Sequence, residues 1–226
     1  MNQQELELLV ADAVKDADLR PEEIPSIDLY LDQITSLIAD KAADGSDRFA
    51  DRVLTKTMIN NYSKDGLISP VNGKKYNREQ ILQMLLVYSM KSTLSISEIK
   101  RILQNVYAEN GYGEGMLEDT YRRFLEIKER LRAESFDCVS DCLTKWELDP
   151  ASDADFLTLL LGLSAWSAYL KTMVQALLEA RYLDEEELKK AVAKRQKEEK
   201  KAAKKAEKAE KKSKDATEAT DSKEKN

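Results

Sequence analysis

The sequence predicts a mainly α-helical protein, and three observations carry that expectation. Gly and Pro are scarce, seven and four in 226 residues, which favours long helices over a turn-rich β fold. Apolar residues recur at helical spacing along most of the chain. Capping signals at Thr55, Asn77 with Gln80 and Ser95 with Glu98 each stand directly before such a run. Apolar residues make up 42% of the chain, enough for a real core in one or two small domains.

Residues 1–48 read as acidic helices. The first spans 3–17, with Leu6, Leu9, Val10, Ala13 and Val14 on one side, and Pro21 and Pro25 break the helical pattern after it. A second spans 28–41, with Leu31, Ile34, Leu37 and Ile38 at helical spacing and Asp28 as its candidate N-cap. A polar link, Ala42-Ala43-Asp44-Gly45-Ser46, comes next.

Residues 49–110 hold the most informative stretch. Thr55 opens a short helix, because its hydroxyl can accept a bond from a free N–H of the first turn. Ile59 and Tyr62, three residues apart, can face a core, and Gly66 is placed to end the helix in a left-handed conformation. A basic turn, Gly73-Lys74-Lys75-Tyr76, comes after it. Asn77 with Gln80 opens a helix carrying Ile81, Leu82, Leu85 and Leu86. Ser95 with Glu98 opens another, carrying Ile99, Ile102, Leu103 and Val106. This layout is that of a winged helix-turn-helix, which places one helix in the DNA major groove. The candidate scaffold helix ahead of it is 28–41, across a polar insertion; a short turn at 48–53 is the other candidate.

Residues 111–183 read as a C-terminal helical core or dimerisation region. After a break at Gly111-Tyr112-Gly113-Glu114-Gly115, a helix carries Tyr121, Phe124, Leu125, Ile127 and Leu131, and Pro150 marks a boundary. Residues 153–182 are strongly apolar, so that helix must be buried in the domain or in a partner. Its longest uncharged run, 156–170 between Asp155 and Lys171, falls short of the roughly 20 apolar residues of a membrane span. Trp166 and Tyr169 would suit a pocket wall.

Residues 184–226 read as a Lys/Ala/Glu-rich charged helix and tail. Glu185/Lys189, Glu186/Lys190 and Glu207/Lys211 are supporting i,i+4 pairs, and 213–226 are polar enough to be disordered. The lack of an apolar stripe beyond Val192 argues against a coiled coil.

Net charge is −6, but its distribution matters more than its sum. Residues 1–48 carry about −8 and 106–188 about −10, whereas 49–105 carry about +5 and the tail from Lys189 about +7. The only basic globular segment is the one with the helix-turn-helix layout, and its acidic flanks should face away from phosphate. The chain contains no histidine, which removes imidazole catalysis, Ser-His and Cys-His nucleophile pairs and His-based zinc sites. No glycine-rich phosphate loop is present. The expectation is a non-enzyme with no catalytic residues, no cofactor and no metal site. With no secretory leader or membrane span recognised, it is expected in the cytoplasm.

Leu54-Thr55, Ile59-Asn60, Tyr62, Gly66-Leu67-Ile68 and Pro70 resemble the recognition helix of the MerR family of regulators. Lys75-Tyr76 resembles the Arg-x-Tyr end of their wing, and Leu94-Ser95-Ile96-Ser97-Glu98-Ile99 resembles their Ser-Leu-x-Glu-Ile segment. Asn60 departs from the family's DNA-backbone Arg, and the wing is shortened to residues 71–75. A second resemblance, carried by Glu23-Ile24-Pro25-Ser26-Ile27-Asp28-Leu29-Tyr30 and by residues 54–62, is to the bacterial family called domain of unknown function 1836, and runs from about residue 23 to near 182. Together they imply a MerR-like DNA-binding module and, from the MerR relatives, a homodimer through a helix after the binding domain, here 153–182.

The candidate DNA-binding residues are Thr55, Lys56, Thr57, Asn60, Asn61 and Lys64 in the groove, with Lys74, Lys75, Tyr76 and Arg78 on the flanking backbone. The plainer alternative for the first set is a solvated helix face, for the second a basic turn, and for Tyr62 and Tyr76 core packing. Cys138 and Cys142 share a helical face as a thiol sensor or half a metal site, or else as two small buried hydrophobes, which is the preferred reading. The expected function is sequence-specific binding of double-stranded DNA as a transcriptional regulator. The rival is a protein–protein adaptor that kept the fold and lost DNA binding; a small-molecule effector is left open.

Overall fold

The computed structural model describes residues 2–49, 54–71, 73–108 and 112–183, with 186, 187, 190 and 193 beyond them. Its helices are α1 (Gln3–Ala13), α2 (Leu31–Ala42), α3 (Lys56–Lys64), α4 (Arg78–Met90), α5 (Ile96–Ala108), α6 (Glu114–Ala133), α7 (Ser135–Lys145) and α8 (Asp153–Tyr182). The strands β1 (Leu29–Tyr30) and β2 (Lys75–Tyr76) form an antiparallel ribbon, with Leu29 opposite Tyr76 and Tyr30 opposite Lys75. The mainly α-helical expectation holds. The chain divides into one unit over Met1–Gln175 and a second over Ala176–Asn226.

α4 is the centre of the first unit. Ile81, Leu82, Met84, Leu85 and Val87 are buried on all its sides, and it packs against α3 and α6. Two buried glutamines on it hold the chain between α3 and β2. Gln80 donates through Nε2 to the carbonyls of Ser69 (3.2 Å) and Pro70 (2.9 Å). Gln83 accepts from the Ser69 N–H (2.7 Å) and donates to its Oγ (2.9 Å). Buried amides left unpaired would cost roughly 1–3 kcal/mol each, so their complete pairing fixes this loop rather than weakening the core.

The N-terminal segment is tied down by charge. Lys128 and Arg132 of α6 grip Asp16 and Asp18, with Lys128 2.6 Å from Asp18 and Arg132 2.8 Å from it. Arg20 pairs with Glu129, and Arg122 with Glu22 (2.8 Å). Asp16, Asp18 and Glu22 of the acidic flank are thus paired within the fold, and Leu19 and Ile24 are buried beside them. These ties also explain why α1 stops at Ala13 and not at 17: Asp16 and Asp18 are drawn out of helical register onto α6.

Other expectations need correction. Asp28 is not the N-cap of α2, because Leu29 and Tyr30 are extended and paired with β2, so Tyr30 takes that position. Ile127 and Leu131 are exposed, since only the first half of α6 lies against α4 with Leu117, Tyr121 and Leu125 buried. Cys138 is exposed and so is not a buried hydrophobe; Cys142 is half-buried, and burial holds its thiol above its ordinary value. No group of three metal-ligating side chains occurs among the described residues.

Much of α8 is not covered within the domain, the first of the two expected alternatives. Residues 164–174 are exposed on every side of the helix, including Trp166, Tyr169, Leu170, Met173 and Val174. Trp166 and Tyr169 thus stand exposed rather than enclosed. By length and composition α8 is also long and apolar enough to cross a membrane. Apolar character resumes after Lys171 and continues to Leu178, which the length of the single uncharged run does not register.

Of the second unit, Glu186 and Lys190 form the expected i,i+4 pair at 3.6 Å. The pairs Glu185/Lys189 and Glu207/Lys211 and the tail 213–226 lie outside the described residues, as do 50–53 of the alternative scaffold turn.

Candidate nucleic-acid interface

α3 is built as its sequence requires. Thr55 is extended and its Oγ1 accepts from the Met58 N–H at 3.3 Å, satisfying one donor of the first turn. At the other end the Leu67 N–H reaches the Tyr62 carbonyl (2.9 Å) and the Gly66 N–H the Ser63 carbonyl (3.1 Å). Gly66 has φ +69°, so this is a Schellman stop that a Cβ would strain. Ile59 and Tyr62 are buried, and α3 packs against α2 and α4.

At 3.6 residues per turn, Asn60, Lys64, Thr57 and Asn61 fall on one arc opposite Ile59 and Tyr62, and all four are exposed. Thr55 and Lys56 are exposed at its N-terminal end. Lys56 reaches Asp32 of α2 at 2.5 Å, so its charge is partly spoken for.

The basic turn lies beside this helix. A groove of about 410 Å³ is lined by Ser63 of α3, by Ile68 and Pro70, and by Gly73 and Lys74 of the turn. Lys74 and Lys75 are exposed, and the Lys75 ammonium sits 5.0 Å above the Tyr30 ring across the ribbon. Lys100 of α5 adds a cation that the sequence did not signal: its Nζ lies 3.7 Å from where a Gly66 Cβ would stand. A cation is favourable there because it faces the negative end of the helix dipole.

Two candidates leave the set. Tyr76 is buried, as the partner of Leu29 in the ribbon. Arg78 is half-buried and internal: its Nε and Nη2 both lie 3.0 Å from Glu118 Oε2, and Nη1 donates to the Ile24 carbonyl at 2.8 Å. Three of the five guanidinium N–H donors are thus spent inside the fold, which holds Arg78 away from a role on the DNA backbone.

The profile of a family described as Domain of unknown function (DUF1836) matches residues 19–124. The chain carries a domain of this family. No curated protein and no solved structure matches the chain.

The DUF1836 domain closes on itself. Its first residue, Leu19, receives a hydrogen bond on its carbonyl from the hydroxyl of Tyr121, three residues before the last (3.2 Å). The match therefore spans a unit whose ends meet on α6, and it contains α2 to α5, the ribbon and every candidate DNA-binding residue. α7 and α8 lie outside it, so the resemblance expected up to residue 182 is shorter than that.

Proposed function

We propose that the DUF1836 domain binds double-stranded DNA through α3, as a MerR-like winged helix-turn-helix, and that the protein is a cytoplasmic transcriptional regulator. The observation that carries this reading is the exposed arc of Thr57, Asn60, Asn61 and Lys64 on a doubly capped helix, flanked by the exposed Lys74 and Lys75. Asn can hold adenine by two hydrogen bonds, and Lys or Thr can hold phosphate and base edges. The ribbon gives the turn a fixed position beside α3 even though the wing is short.

The regulator is a homodimer through α8 in this proposal. A helix exposed and apolar on every side needs a cover. A second copy supplies it without burying Lys171 in hydrocarbon, which would cost about 2.5–3.5 kcal/mol. A membrane span also fits the charges poorly. With 15 Lys and Arg against 8 Asp and Glu after residue 188, the positive-inside rule would put the tail, and not the DNA-binding face, on the cytoplasmic side.

The adaptor reading draws on one observation: Arg78 is engaged inside the fold and Lys56 pairs with Asp32 at the surface, which thins the positive face. Selection of the full chain on pooled random duplex DNA at near-physiological salt separates the two. An enriched inverted repeat, lost in Asn60→Ala/Lys64→Ala, is the expected result. A folded protein that enriches nothing would replace the regulator with the adaptor.

A further inference from the structure

A cavity of about 700 Å³ lies beside α3. That volume is within the range of small-molecule sites, about 300–1,000 Å³. Ala17, Ala42, Phe49, Met58 and Phe124 give it apolar walls contributed by separate stretches of the chain. Asp16, Asp18, Lys91 and Lys128 supply its charge.

The charges are not equivalent. Asp16 and Asp18 are matched by Lys128 and Arg132 in one cluster of two acids and two bases. That cluster has little charge to offer a ligand. Lys91 is exposed and is in no ion pair among the described residues, so it is the open charge of the lining. Ser89 and Ser92 flank it with hydroxyls.

The cavity also touches the functional helix. Met58 is in the first turn of α3, and its N–H is the one that Thr55 caps. A ligand pressing on the Met58 side chain acts on the turn that carries Lys56 and Thr57.

We propose that this cavity binds a small aromatic carboxylate, with its ring between Met58 and Phe124 and its carboxylate on Lys91, and that occupancy is transmitted to the first turn of α3. Phe124 and Met58 in the lining select a ring, because Phe and Met side chains gain most from face and edge contact. A single uncompensated ammonium selects one negative charge. The site goes beyond the DNA reading and stands without it.

The test is a titration of the full chain, labelled at the methionine methyls, with 2-naphthoate, monitored by NMR and calorimetry. The expected result is one saturable site per chain that shifts the Met58 methyl and leaves Met173, on exposed α8, unmoved. Lys91→Gln, a surface substitution that should leave the fold intact, is expected to weaken binding about tenfold, the loss of one charge-assisted hydrogen bond. The neutral 2-naphthalenemethanol should bind the unaltered protein about as weakly. No saturation by about 10 mM, a limit weaker than any useful effector affinity, would overturn the proposal. So would a shift at Met173 without one at Met58, or an unchanged affinity in Lys91→Gln. The titration contains no DNA, so failure of the DNA reading leaves its outcome untouched.

Discussion

Arg78 holds Glu118 through two nitrogens on a single carboxylate oxygen, each at 3.0 Å, while its third nitrogen holds the Ile24 carbonyl. One side chain thus joins α4, α6 and the N-terminal segment. Both partners are about three-quarters buried, with 23% and 22% of their side chains exposed. Arg78→Ala would leave a largely buried carboxylate and a carbonyl without their donor, and is expected to cost about 2 kcal/mol. Urea denaturation measures this. Arg78→Lys should recover only part of the loss, because an ammonium cannot reproduce the fork. If Arg78 instead served phosphate, the substitution would leave stability unchanged.

Lys64 and Asn60 share the exposed arc of α3 and should differ in kind. Lys64→Ala is expected to weaken DNA binding evenly across sequences and to reduce the slope of log affinity against log salt by about 1. Asn60→Ala should leave that slope alone and lose about 1–3 kcal/mol on the preferred sequence only. Fluorescence anisotropy over a salt series resolves the two. Equal losses on all sequences for both variants would place the groove contact elsewhere.

Much of this candidate site was legible in the sequence because its signals are local. Thr55, Gly66, Asn77 with Gln80 and Ser95 with Glu98 act within a few residues, and each makes the bond its spacing implies. The internal ties of Arg78 and Tyr76 are not legible locally because their partners, Glu118, Ile24 and Leu29, are far away in the chain. A basic residue after a basic turn carries no local mark of an internal ion pair. The same holds for Asp28, which would cap α2 were β2 not there to pair with β1. The exposure of α8 was illegible for a related reason: composition reports what a helix prefers, not what stands beside it.

α8 should govern oligomeric state. Leu161 and Met173 are exposed on it and twelve residues apart, so together they report along its length. Leu161→Glu/Met173→Glu is expected to convert a dimer to a monomer in light scattering with helix content retained, because two charges per chain would be buried without partners. Partition of the unaltered chain into lipid vesicles, with no dimer in their absence, would decide for the membrane instead.

Glu147 ends α7 with φ 54°, in the left-handed region where a Cβ is strained. The Leu148 N–H reaches the Leu143 carbonyl at 2.9 Å, so the stop is of the same Schellman kind as at Gly66. Glycine occupies one stop and glutamate the other. Glu147→Gly is expected to raise stability by about 0.5–1 kcal/mol, the relief of the left-handed strain less the added freedom of the unfolded chain. The thermal midpoint should move up by a few degrees; a fall would mean that the Glu147 side chain contributes more than its backbone costs.

Acid should loosen the N-terminal segment before the rest. The hydrogen bond from Arg122 holds the Glu22 carboxyl below its ordinary 4.5, and hydrogen bonds from Ser46 and then Arg48 hold Asp12 below 3.8. A carboxylate whose folded pKa is depressed favours the folded state above its unfolded pKa. That contribution is lost as pH falls through the folded value. Stability should therefore decline as pH drops below about 4.5, as the unfolded chain begins to bind protons that the folded chain refuses. Arg122→Ala removes the donor that depresses Glu22, so its urea midpoint should fall less steeply over the same range. At neutral pH the variant should lose little, because Glu22 and Arg122 are both well exposed and solvent screens such pairs. A variant that keeps the full acid slope would assign the loss to Asp12 and its ties to Ser46 and Arg48, which Arg48→Ala would then flatten.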